Sequence, residues 1–147
     1  TKIRDNPDLE EEVRILHECE QQNIPYMGIC HGAQIAAHNT GGSILEMDKR
    51  EGYQFRDYRL IESDPILNSV ILQRDNIELR VLEWHSWGID SVGENYHIIV
   101  ADSTGKVQLA KHNVSPVYLV SFHPEAKRPK IDPVTNGEIV IDNFLMM

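Results

Sequence analysis

Two cysteines in a chain of 147 residues are too few for a disulfide framework. Cys19 and Cys30 also lack the C-x-x-C spacing of a metal or redox motif. Both thiols are expected to be reduced, which fits a cytoplasmic setting. Basic residues are scarce as well: 14 Lys and Arg against 23 Asp and Glu give a net charge of −9, the wrong sign for a nucleic-acid binder. The one basic run, Lys127-Arg128-Pro129-Lys130, reads as a solvated loop. Apolar stretches reach only strand length. The segment Thr1-Lys2-Ile3-Arg4-Asp5 lacks the basic-then-apolar pattern of a secretory leader, so no membrane span is expected. His17, His38, His97 and His112 have no Cys or carboxylate partners at ligand spacing, and no metal or cofactor is expected. No repeat or low-complexity tract occurs.

What remains, 41% hydrophobic and 25% charged, is the profile of one globular domain with an adequate core. Leu9, Val13, Leu16 and Cys19 fall at helical spacing, with acids in the first turn, and predict an amphipathic helix over 8–20. A strand is expected over 24–29 and a helix over 31–39, stopped by Asn39-Thr40-Gly41-Gly42. Short strands are read at 43–46, 53–56, 77–82, 96–101, 107–110 and 117–122, with a helical turn at 65–70 between them and a closing helix from Gly137 to Leu145. Strand-helix-strand units followed by strand pairs imply an α/β fold. Its mostly parallel sheet is expected to carry helices on both faces and a reactive site at the strand ends.

The strongest chemical signal is Gly28-Ile29-Cys30-His31-Gly32, directly after the apolar run 24–27. A strand ending in glycine-x-nucleophile-x-glycine and entering a helix forces its central residue into a strained turn, since a side chain at either glycine would collide with it. Cys30 then sits at a helix N-terminus, where the dipole and unpaired N–H groups favour its thiolate. The backbone N–H of His31 is placed to stabilise a developing oxyanion.

A cysteine nucleophile needs a base, and the base needs an orienting group. Phe122-His123-Pro124-Glu125 supplies both after an apolar strand, which puts His123 at the same sheet edge as Cys30. Imidazole titrates near neutrality, and Glu125 is close enough to accept from it.

Taken together, Pro25 through Gln34, Gly41-Gly42, Arg50-Glu51-Gly52, Trp84-His85-Ser86-Trp87, Phe122 through Glu125, and Gly137 through Phe144 resemble the class I glutamine amidotransferase domain. The blocks come in the family's order and span nearly the whole chain. The resemblance implies a flavodoxin-like three-layer sandwich with a small antiparallel extension. It also implies glutamine hydrolysis through a thioester on Cys30, with His123 moving protons and Glu125 holding the imidazole, and ammonia delivered to a partner synthase. By the same resemblance Gln34, Ser86 and Trp87 contact the substrate. The Trp84–Trp87 block is most similar to the anthranilate-synthase-like branch, although Trp87 stands where that branch has leucine. The family's first strand and its glycine-rich oxyanion loop precede the first helix seen here. They are expected upstream of Thr1, with a second chain or a degenerate relative as alternatives. Two other functions stay open at this point: a γ-glutamyl peptidase or hydrolase using the same three residues, and a non-catalytic binding domain.

Overall fold

The computed structural model describes residues 8–70, 72–73, 76–126 and 135–147, those at 8, 48–57 and 72–73 by their backbone. The basic run 127–130 and the segment 1–5 lie outside the described residues. In chain order the elements are α1 (Asp8–Gln22), β1 (Tyr26–Ile29), α2 (His31–Asn39), β2 (Ser43–Leu60), a 3-10 turn (Pro65–Leu67), β3 (Leu72–Gln73), β4 (Asn76–Ser91), β5 (Tyr96–Ala101), β6 (Val107–His112), β7 (Val117–Val120) and α3 (Glu138–Leu145).

The seven strands form one mixed sheet in the order β1-β7-β6-β5-β2-β4-β3, with a further contact between β6 and β4. Among the described residues only β1 and β7 pair in parallel, and the other pairings are antiparallel. A mostly parallel sheet was expected, and this corrects it. The strands after α2 follow one another through turns and short loops, and such connections cannot carry the long crossover that a parallel pair needs. The runs 43–46 and 53–56 are not separate strands either. They belong to the 18-residue β2, which pairs with β4 from Ser43↔Ser91 to Arg59↔Asn76 and slips register between Glu46 and Arg50.

All four residues of β7 are buried and apolar, as befits a strand covered on both sides. Val117 and Leu119 join Leu16 and Cys19 of α1 and Ala33, Ala36 and Ala37 of α2 in one apolar cluster. Tyr118 and Val120 point the other way, into a cluster with Ile66, Leu79, Val81, Phe122 and Val140 of α3. The two-residue period of the strand thus divides the core between the sheet's faces. On the second face α3 is tied down by Asn143, whose side-chain amide donates to the carbonyls of Ile66 and Asn68 at 2.8 Å each. Its start is pressed against the segment carrying His123. A Cβ on Gly137 would lie 2.9 Å from the Pro124 Cα, an approach that only glycine permits.

Candidate active site

The chain leaves ordinary backbone geometry at the end of β1. Cys30 has φ 52° and ψ −103°, in a positive-φ region that non-glycine residues rarely occupy and that is retained mainly where function demands it. Its N–H donates to the Val120 carbonyl at 2.7 Å, and its carbonyl accepts the Gln34 N–H at 3.0 Å. The strained residue is therefore pinned from both sides. Gly28 makes the turn possible, because a Cβ there would meet the backbone of Gly32 and Ala33 at 3.1–3.2 Å. Beside Gly32 a Cβ would meet nothing within 4 Å. The collision expected at both glycines is found at one, since the Gly32 backbone lies over Gly28 and not the reverse.

One strand positions the rest. The β4 carbonyl of Leu82 accepts the His123 N–H at 2.8 Å. That of Trp84 accepts from the Cys30 thiol at 3.5 Å, and that of Trp87 from the Gln34 side-chain amide at 2.9 Å. Residues 82 and 84 share a side of the strand by simple alternation, but residue 87 does not. The buried-exposed alternation that runs from Ile77 to His85 breaks at Ser86 and Trp87, both exposed, opposite the register slip in β2. That phase change brings the Trp87 carbonyl round to the elbow.

The resulting cleft has a volume of about 310 Å³ and is lined by Cys30, His31, Gln34, Ser86 and Trp87, together with Trp84 and His85. His123 and Glu125 are not part of that lining. They are paired with each other, Nδ1 to Oε1 at 2.7 Å, at the rim that Cys30 also occupies. Ile29 is in parallel register with Val120, so the chain runs out of the sheet into Cys30 on one strand and toward His123 on its neighbour.

Burial pushes the Cys30 thiol above its ordinary value, the His31 backbone N–H acts against that shift, and the Glu125 carboxylate adds to it. Lowering by the helix terminus was expected, but loss of solvent outweighs it here. The His31 N–H, expected to face an oxyanion, here bears on the sulfur itself. Because the thiolate is the reactive form, alkylation of Cys30 by iodoacetamide is expected to be slow at neutral pH and to keep rising past the ordinary thiol range. A rate already at its plateau at neutral pH contradicts this.

The sequence matches the family model of class-I glutamine amidotransferases over residues 4–143. The chain belongs to the class-I glutamine amidotransferase family. Among curated relatives, a glutamine-hydrolyzing GMP synthase subunit of Pyrococcus abyssi is 30% identical over 131 residues, 89% of this chain and 64% of that protein. The glutamine-hydrolyzing GMP synthase of Wolbachia pipientis wMel is 28% identical over 145 residues, 95% of this chain and 26% of its own length. This amidotransferase chain thus spans less than two thirds of either relative. Solved structures share its fold. PurLQS from Thermotoga maritima aligns with a TM-score of 0.73 at 14% identity, covering 99% of this chain and 74% of that one. A glutamine amidotransferase from the same organism aligns at 0.69 and 20% identity, covering 85% and 51%.

Trp84 and His85 are the two lining residues of this amidotransferase cleft to which sequence reasoning gave no role. Alternation along β4 puts His85 on its buried face and Trp84 on its exposed one, and the strand pattern carried that signal. Their meeting at the cleft depended on the phase change, which it did not carry.

Proposed function

We propose that this chain hydrolyses the side-chain amide of glutamine and passes the ammonia to a synthase. The observation that carries the reading is the placement of a strained, pinned Cys30 and a carboxylate-held His123 on one rim of two adjacent parallel strands. Cys30 Sγ attacks the amide carbon, and the His31 N–H faces the developing oxyanion. His123 hands the sulfur's proton to the leaving nitrogen, the C–N bond breaks, and ammonia departs. Water activated by the same imidazole then splits the glutamyl thioester to glutamate. Glu125 fixes the imidazole, Gln34 contacts the substrate, and Ser86 and Trp87 hold its amino-acid end. The relatives named as glutamine-hydrolyzing GMP synthases support an ammonia-accepting partner.

A cytoplasmic setting belongs to this reading, supported by two free cysteines. So does a flavodoxin-like three-layer arrangement, supported by the apolar clusters on the two faces of the sheet. The direct test is incubation with glutamine. Ammonia and glutamate are expected in equal amounts, with a glutamyl adduct on Cys30 after acid quench. Hydrolysis without an adduct on that residue refutes the proposed chemistry.

A further inference from the structure

Two polar side chains to which the proposed reading gives roles are already engaged by the protein's own backbone. The Cys30 thiol donates to the Trp84 carbonyl, and the Gln34 amide donates to the Trp87 carbonyl. These residues stand about one helical turn apart at the start of α2. One helix end is therefore fastened at two points to one strand segment. A thiol can donate to a carbonyl, whereas a thiolate has no hydrogen and meets the oxygen's lone pairs. Ionisation thus forfeits this bond, sets the charged Sγ against the Trp84 carbonyl oxygen at 3.5 Å, and is favoured when the two part. Burial of the sulfur favours the protonated form in the same sense.

The segment that holds both groups is also the irregular part of β4. Alternation fails there, and the pairing with β2 slips beside it, an irregularity that disrupts the ladder locally. Two large side chains stand out from it, Trp84 at 62% exposure and Trp87 at 40%.

We infer that the double fastening of α2 to residues 84–87 of β4 is an autoinhibitory contact that holds the site assembled with its thiol protonated until the segment shifts. Its meaning for catalysis rests on the proposed glutaminase reading, whereas the contact itself is read out on the thiol. A molecule that favours the shifted segment releases the sulfur, either by competing for the Gln34 amide or by binding the exposed indoles.

The test replaces Gln34 by methionine, which preserves length and removes the donor. In Gln34→Met, modification of Cys30 by iodoacetamide at neutral pH is expected to accelerate about tenfold, as the thiolate fraction rises by that factor. Ser86→Gly, which loosens the strand without touching α2, should shift the rate in the same direction. An unchanged or slower rate in both variants overturns the inference. Should Gln34→Met fail to fold, the native protein still decides. The S–H stretching band of Cys30, isolated by subtracting the Cys30→Ala spectrum, is expected below the frequency of a free thiol, and a band at that frequency overturns the contact. Faster alkylation in the variants together with a native protein that never hydrolyses glutamine keeps the contact and sinks the glutaminase reading; hydrolysis by the native protein with unchanged alkylation in both variants does the opposite.

Discussion

Cys30→Ala is expected to bring glutamine hydrolysis down to background, a loss on the order of 10⁶ in kcat if a nucleophile is removed outright. Nothing nearby replaces it. Cys19 is packed in the apolar cluster formed with α1 and α2, and among the residues lining the cleft the sulfur of Cys30 is the only thiol. The variant should fold, because the bonds that pin the elbow at this position are made by the Cys30 backbone N–H and carbonyl. Alanine meets the same penalty at φ 52° as cysteine does. Measurement pairs ammonia release with labelling by a glutamine-derived electrophile, and both should vanish while the thermal unfolding midpoint holds. Activity retained in a variant that no longer takes the label would place the chemistry elsewhere.

His123→Ala comes second, with an expected loss on the order of 10²–10⁴. The Glu125 carboxylate only accepts, so the imidazole nitrogen at 2.7 Å from it carries the hydrogen, and Nε2 is left as the base. One nitrogen then serves both chemical steps. The variant should therefore slow thioester formation and thioester hydrolysis together, visible in single-turnover experiments as a weakened burst and a slowed steady phase. Glu125→Gln should cost less, since it disturbs the orientation of a ring that the backbone still holds through Leu82. If Glu125→Gln proves more damaging than His123→Ala, the assigned roles are reversed.

Much of this was written in local sequence. The glycine-flanked cysteine after an apolar run predicted the turn, and the stop after Asn39 is there: the Gly42 N–H donates to the Ala37 carbonyl at 2.9 Å, and Gly41 sits at φ 95°. The pairing of His123 with Glu125 follows from a two-residue spacing that a turn can close. What was hidden is set by contacts between distant segments. Strand direction depends on which partner a strand finds, so the antiparallel ribbon of β2 and β4 could not be told from shorter strands. The raised Cys30 thiol reflects burial, and the carbonyl it meets, that of Trp84, lies 54 positions away along the chain. The open space beside Gly32 likewise depends on which backbone lies over which.

Three carbonyls of β4, at positions 82, 84 and 87, hold two separate segments, the one carrying His123 and the start of α2, and leave no slack for a change in length. Removing or adding a single residue between Leu82 and Trp87 would swing at least one of those oxygens to the wrong edge. Engineering of this stretch is consequently confined to exchanging side chains, and grafts that lengthen or shorten it should fail even where each new residue suits a strand.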